Sequence, residues 1–209
     1  MPGERNPRYT PPRAPDDWAH VESLFERLGL GRISRTVPHR ALWAMYVFVN
    51  GLVSVGLLAA LAVLTGVPFI FPSVGPTAYQ LFFLPRSKTS TPHNTLLAHL
   101  IGLVCGYIAF RASGVPVWTA MMKEGFDFRP VVAASVSLAV TAALMILLHA
   151  SHPPAGATTL IVSLGLITNI TDLAVIETAV LVITAQAFCV NRLAGLPYPV
   201  WRGPSSSTG

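Results

Sequence analysis

The chain has 209 residues, of which 52% are hydrophobic and only 11% are charged, and its mean hydropathy is +0.57. Soluble domains carry about a quarter charged residues, so this composition excludes an ordinary water-soluble fold and indicates a membrane protein. The net charge of +5 lies outside the apolar runs, where it bears on membrane topology. No aromatic pattern typical of a nucleic-acid surface is evident, and we expect no nucleic-acid partner.

The chain begins with a polar, proline-rich stretch. Residues 1–15 are expected to form a disordered tail, because they hold too little apolar surface to offset the entropy of ordering. Residues 16–30 carry apolar residues at helical spacing and end near Gly29, so they predict a short amphipathic helix. This helix lies either in the membrane interface or on the protein's own cytoplasmic face. Residues 203–209 are expected to form a second disordered tail.

Two long uncharged stretches define a membrane domain, expected over residues 38–202. Residues 41–85 contain no Asp, Glu, Lys, Arg or His, and residues 130–171 contain only His149 and His152 among these types. Each stretch is about twice as long as the roughly 20 residues that one transmembrane helix needs, so each enters the membrane twice. Continuous transmembrane helices are predicted at about 41–65, 94–112, 130–150 and 173–192.

Proline and glycine interrupt the second half of each stretch. In "VPFIFPSVGPTAYQLFFLP" Pro68, Pro72 and Pro76 forbid a continuous helix, and in "SHPPAGATTL" His152 precedes two further prolines. An extended part followed by a short half-helix fits both segments. The predicted fold class is therefore an all-α polytopic membrane protein with four continuous transmembrane helices and two broken ones.

The sequence repeats itself at an offset of 81 residues, because "FRASGVP" around Arg111 matches "NRLAGLP" around Arg192. The same offset aligns three further pairs: Pro72 with Pro153, Gly75 with Gly156, and Thr77 with Thr158. We predict two three-segment repeats, at about 41–116 and 122–197. The repeats are inverted if the broken segments cross the membrane, and parallel if these segments only enter it and return.

Basic residues favour a cytoplasmic N-terminus in both arrangements. With six crossings, eight Lys and Arg residues fall on the side of the N-terminal helix and three on the other, and with four crossings the division is nine against two. We expect six crossings, because a segment made partly of extended chain spans farther per residue than a helix. The expected location is a bacterial inner membrane.

The starts of the two half-helices are predicted to bind a small anion. Non-helical chain at membrane depth persists only where protein or a wet cavity satisfies its backbone, and a helix start offers free N–H groups and the positive end of the helix dipole. Paired interrupted segments also indicate the substrate site of a transporter. The residues assigned to this site are Ser73, Gly75, Thr77, His152, Pro153, Pro154, Gly156, Ala157, Thr158 and Thr159, with His99, His149 and Asn191 as accessory candidates.

Two other interpretations stay open. The breaks can serve only to let helices pack closely, in a membrane scaffold that transports nothing. Alternatively, the histidines can hold a metal, although no two-histidine-plus-carboxylate motif is present and Cys105 and Cys189 form no CxxC pair. The chain also lacks a nucleophile–base–orienter set and any carboxylate pair at usable spacing. We therefore expect no catalytic residue, no metal and no cofactor.

The broken segments also carry a family resemblance. "SHPPAGATTL", with "FPSVGPTAYQLFFLP", "NTLLAHLIGLVCGY" and the closing "NRLAG", resembles the HPP family of integral membrane proteins over about residues 38–202. The resemblance implies four transmembrane helices and, from plant plastid and cyanobacterial relatives, nitrite transport. The expected partners are thus the lipid bilayer and a small anion such as nitrite. A homo-oligomer, and the choice between channel and carrier, stay open.

Overall fold

The computed structural model describes residues 17–29, 36–125 and 127–202, and within these ranges the chain forms helices and no strand. The helices are α1 Asp17–Arg27, α2 His39–Thr65, α3 Val74–Phe83, α4 Pro92–Ser113, α5 Trp118–Glu124, α6 Phe128–Leu147, α7 Ala155–Ser163 and α8 Ile170–Leu193, with a 3₁₀ turn at Lys88–Ser90. The predicted all-α class is confirmed. The expected tails at 1–15 and 203–209 lie outside the described residues.

Four helices, α2, α4, α6 and α8, are long and apolar enough to cross a membrane. Each is about 30–40 Å long at 1.5 Å per residue, which matches a hydrocarbon core of about 30 Å. Apolar side chains such as Phe48, Val63 and Val131 are exposed on their outer faces, as expected for surfaces that contact lipid. The prediction of four continuous transmembrane helices is confirmed.

Helix α6 ends at Leu147, three residues before its predicted end. His149 takes the left-handed conformation, with a φ of 52°. The N–H of Ala150 donates to the carbonyl of Met145, and the N–H of His149 donates to that of Ile146. These two bonds form a Schellman motif, which satisfies the last carbonyls of a helix. The prolines that follow prevent the helix from resuming.

The second broken segment runs from one end of α4 to the other. At its beginning, the side-chain amide of Asn94, in the first turn of α4, donates to the carbonyl of Ser151 at 3.3 Å. At its end, the N–H of Trp118, just beyond the last turn of α4, donates to the carbonyl of Gly165 at 3.0 Å. Helix α7 lies between these two contacts and therefore runs parallel to α4.

The first broken segment ends beside the C-terminal part of α8. The side chain of Asn191 donates to the carbonyl of Leu81 at 3.2 Å and accepts from the hydroxyl of Tyr46 at 2.7 Å. The end of α3, the end of α8 and the beginning of α2 thus lie together. Because α2 is about 40 Å long, the segment that leaves it at Thr65 starts at the opposite end of the bundle. The number of crossings and the inverted repeat stay predictions.

Helix α1 packs across the end of the bundle where α2 begins. Val21 and Phe25 are buried in the same apolar cluster as Trp43 and Leu196. Leu28, just beyond the helix, is 63% exposed. Val21 and Phe25 thus pack against the protein itself, and the placement of this helix in the membrane interface stays a prediction.

Connector α5 leads into α6 through a charged cap. The carboxylate of Asp127 accepts from the backbone N–H of Arg129 at 2.9 Å and from its Nε at 2.6 Å. The side-chain bond to Arg129 lowers the pKa of Asp127 below its usual value. Arg129 also donates to the carbonyl of Gly114 at 3.0 Å, which ties the end of α4 to the beginning of α6.

Helices α4 and α7 approach each other closely along two glycines. A Cβ atom added to Gly102 would lie 2.8 Å from the carbonyl oxygen of Ala155, and one added to Gly106 would lie 2.7 Å from that of Thr159. Glycines four residues apart let membrane helices pack backbone to backbone, and small residues face them on α7. This packing fixes α7 against α4.

We expect Gly106→Ala to lower the free energy of unfolding by roughly 1–3 kcal/mol, because the added methyl group meets backbone that is already packed. Gly56→Ala on α2 is the matched control, since a Cβ there has nothing within 4 Å and alanine is the better helix former. The measurement is thermal unfolding of both variants in detergent. Equal midpoints for Gly106→Ala and wild type would contradict the close packing.

Candidate functional site

The first turns of α3 and α7 meet at one imidazole. Thr77 is the fourth residue of α3, and its Oγ1 lies 2.9 Å from Nε2 of His99. Thr158 is the fourth residue of α7, and its Oγ1 lies 2.8 Å from Nδ1 of the same ring. All three side chains are fully buried. His99, on α4, therefore bridges the two half-helices that the sequence repeat aligns.

A second imidazole lies beside the first. The ring centroid of His152 is 5.3 Å from that of His99, and its side chain is fully buried. Its Nδ1 lies 2.7 Å from the carbonyl oxygen of Thr89, and its Nε2 lies 3.5 Å from Oγ1 of Thr77. Because a proline follows, the backbone of His152 is restricted to extended conformations, which helps to hold the ring in place.

Local sequence explains why both half-helices begin here. Pro76 lies in the first turn of α3 and Pro154 precedes the first residue of α7, positions where a missing N–H costs no helical bond. The hydroxyl of Thr77 donates to the carbonyl of Ser73 at 2.8 Å, so it is anchored within its own turn. The same turn residues thus start each half-helix and orient its threonine.

The backbone at the start of α7 differs from the expectation of free amide donors. The N–H groups of Ala155, Gly156 and Ala157 donate to the carbonyls three residues before them. A tight turn of this kind satisfies the otherwise unpaired amides of a helix start. The donors that α7 offers to the centre of the protein are therefore side-chain groups.

Two buried hydroxyls, one helical turn before Thr77 and His99 along the chain, have no hydrogen-bond partner within the described ranges. They are Oγ of Ser73, which precedes α3, and Oγ1 of Thr95, and both side chains are fully buried. Thr95 lies one turn before His99 on the same face of α4. Sequence reasoning missed Thr95, although its four-residue spacing from His99 was a usable signal. Ser73, Thr77, Thr95, His99, His152 and Thr158 are called the central cluster below.

Several predicted site residues lie away from the central cluster. Gly75 and Pro153 are exposed. Gly156 faces α6, and the hydroxyl of Thr159 donates to that of Thr141 on α6 at 3.1 Å. Gly156 and Thr159 thus hold α7 against α6, and the assignment of these four residues to an anion site stays a prediction.

The remaining predicted residues have other surroundings. His149 is exposed in the turn after α6. Asn191 is buried, but it joins α8 to α2 and α3 at the end of the bundle. Pro154 precedes α7, and its carbonyl accepts from the N–H of Ala157 at 3.1 Å. Their assignment to an anion site stays a prediction.

The central cluster is composed of hydroxyl and imidazole groups without a carboxylate. In the part of the chain that the structure describes, no group of three or more His, Cys, Asp or Glu residues is placed to hold a metal ion. Hydroxyls and imidazole N–H groups donate hydrogen bonds, and the first turns of α3 and α7, where the positive ends of the helix dipoles lie, both contact His99. The chemistry offered is therefore that of hydrogen-bond donation to a small acceptor.

Comparison with known proteins identifies the family. The sequence pattern described as "HPP, transmembrane region" matches residues 34–199. The chain belongs to the HPP family. The matched region runs from before α2 to beyond α8 and contains the whole central cluster, including the His152-Pro153-Pro154 segment. This HPP protein is an integral membrane protein, and searches of curated proteins and of solved structures each returned no match.

We expect Thr77→Val to lower the free energy of unfolding by roughly 1–3 kcal/mol, because it leaves a buried imidazole N–H without an acceptor. Thr178→Val on α8 is the control, since that hydroxyl is exposed and bonds only within its own helix. Such a surface change should stay within about 0.5 kcal/mol. Thermal unfolding in detergent measures both, and equal losses would count against the hydrogen bond from His99 to Thr77.

Proposed function

We propose that this HPP protein transports a small monovalent anion, with nitrite as the substrate. The observation that carries the proposal is the convergence of two half-helix starts, inside the membrane domain, on a buried cluster of hydroxyls and imidazoles. Interrupted helices that meet in this way form the substrate sites of many secondary transporters.

The sign of the proposed substrate follows from the groups around it. The first turns of α3 and α7 both contact His99, and the positive dipole ends that lie in such first turns stabilise negative charge. The unpartnered hydroxyls of Ser73 and Thr95 are further donors. Neither half-helix contains Asp or Glu. Nitrite is chosen among small anions because the relatives in plant plastids and cyanobacteria are implicated in its transport.

Full burial of the central cluster supports a carrier rather than an open channel. The side chains of Thr77, His99, His152 and Thr158 have no exposed surface, so an anion reaches them only after helices move. Because Gly102 and Gly106 pack α7 tightly on α4, we propose that this pair moves as one unit. Access would then alternate between the two sides of the membrane.

The proposed orientation places the N-terminal end of the chain in the cytoplasm of a bacterium, at its inner membrane. The contacts of Tyr46 and Asn191 bring the start of α2, the end of α3 and the end of α8 together at one end of the bundle. Ser151, which follows α6, contacts the start of α4. From these contacts each described basic residue can be assigned to one end of the bundle or the other. The end with α1 carries Arg27, Arg40, Arg86, Lys88, Arg192 and Arg202, and the opposite end carries Arg111, Lys123 and Arg129. An excess of Lys and Arg marks the cytoplasmic side. The proposal assigns no enzymatic step to the cluster.

The test is saturable nitrite uptake into liposomes that contain the purified protein, with chloride, nitrate and formate as competitors. We expect Ser73→Ala and Thr95→Val each to raise the half-saturating nitrite concentration roughly tenfold, the effect of losing one hydrogen bond to a charged group. Thermal stability should not fall, because both hydroxyls are unpartnered in the structure. Ser54→Ala is the matched control, a fully buried serine that bonds only within α2.

Unchanged half-saturation in both variants would show that the central cluster does not bind the anion. Wild-type uptake no greater than that of empty liposomes would favour a membrane scaffold. Uptake of labelled chloride, nitrate or formate above that of empty liposomes, without uptake of nitrite, would keep the anion site and replace the substrate.

A further inference from the structure

The hydrogen-bond contacts of His99 define which of its nitrogens carries a hydrogen when the ring is neutral. The hydroxyl of Thr77 donates its only hydrogen to the carbonyl of Ser73 at 2.8 Å, so it accepts from Nε2–H of His99. Nδ1 of His99 then has no hydrogen and accepts from the hydroxyl of Thr158. In the neutral state, both ring nitrogens of His99 therefore have a hydrogen-bond partner.

The contacts of His152 leave one nitrogen unused. A carbonyl oxygen only accepts hydrogen bonds, so Nδ1 of His152 donates to Thr89. The neutral ring therefore has no hydrogen on Nε2, which faces Oγ1 of Thr77 at 3.5 Å. Since the Thr77 hydrogen is directed to Ser73, two lone pairs face each other across this contact.

One added proton would complete this arrangement. A proton on Nε2 of His152 would turn the contact with Thr77 into a hydrogen bond. No existing hydrogen bond would have to change its direction. On Nδ1 of His99 the proton would require the hydroxyl of Thr158 to rotate away. The rings are 5.3 Å apart, and two like charges so close disfavour each other. The central cluster thus has a single site for an added proton, which is Nε2 of His152.

The hydrogen bonds and the ring contact of His99 and His152 within the described chain are made with hydroxyl, carbonyl and imidazole groups, none of which carries a fixed positive charge. Helices α3 and α7 contain no Asp, Glu, Lys, Arg or His. Helix α4 contributes His99 and, in its first turn, the buried His93, whose Nε2 lies 2.9 Å from the guanidinium of Arg202. The 3₁₀ turn contributes the carbonyl of Thr89, and its Lys88 is exposed to the outside, as is His149 after α6. A buried anion without a countercharge is costly, and a proton on His152 would supply that charge.

We infer that the anion enters the central cluster together with one proton, which His152 takes up on Nε2. This inference rests on the proposed function and extends it to an electroneutral symport of anion and proton. By thermodynamic reciprocity, the bound anion strengthens proton binding as much as the proton strengthens anion binding. Above the pH at which His152 loses its proton, nitrite affinity then falls about tenfold per pH unit.

The test is titration calorimetry of nitrite binding to the detergent-purified full chain, repeated at one near-neutral pH in buffers of different ionisation enthalpy. The dependence of the measured heat on buffer enthalpy gives the number of protons taken up per nitrite bound. We expect about one proton per nitrite for wild type, because the central cluster has a single site for an added proton. His152→Gln, which keeps a donor for Thr89 but cannot hold a charge, should bind nitrite without a proton or lose binding.

Two further variants make the test specific. His149→Asn removes an exposed histidine three residues away, and asparagine tolerates the positive φ there. Glu177→Gln removes the carboxyl in the groove between α4 and α8, whose Oε2 has no partner within the described residues. Both variants should keep a proton number of about one.

Wild-type binding without proton uptake would overturn the symport and leave the proposed anion site standing. A wild-type proton number in His152→Gln, or its loss in Glu177→Gln alone, would also overturn the role of His152. No binding heat and no nitrite-dependent rise in thermal stability of wild type would overturn the proposed function and this inference together. If His152→Gln does not fold, the numbers of protons taken up by wild type and by Glu177→Gln still decide whether nitrite binds together with a proton and whether Glu177 takes up that proton.

Discussion

The centre of the molecule depends on a single imidazole that bonds to two threonines. Helices α3 and α7 are too short to cross a membrane, and each has its start fixed by a threonine bonded to His99. In apolar surroundings such bonds are costly to break, because the separated groups find no water to replace them. The ring therefore couples the positions of the two broken segments to α4, and through α4 to each other.

One face of α4 performs both the packing and the polar contacts. Thr95 and His99 precede Gly102 and Gly106 at helical spacing. The first half of this face therefore presents polar side chains, and the second half presents glycine backbone without side chains. The glycines bring α7 close enough for Thr158 to reach the ring. Packing distance and hydrogen-bond geometry are thus two results of the same residue pattern. A change at either glycine is expected to disturb the cluster as well as the helix pair.

The described cluster holds no fixed charge, and this has consequences for how an anion can be held. Helix dipoles and hydroxyls attract a monovalent anion moderately, whereas a buried arginine would attract it permanently. A transporter has to release its substrate, so a countercharge that arrives and leaves with the substrate suits the task. In the proposed symport, His152, which donates to Thr89 and faces Thr77, would provide this countercharge.

The sequence by itself determined the membrane class, the four long helices and the two breaks, because hydropathy and proline act locally along the chain. It also aligned Thr77 with Thr158, and the HPP segment indicated the family. Only the tertiary structure decided that His99 bridges these threonines, since its partners lie 22 and 59 residues away and the facing of a helix depends on distant packing. It likewise showed that turn bonds occupy the amides of α7, a detail of backbone geometry that composition does not encode.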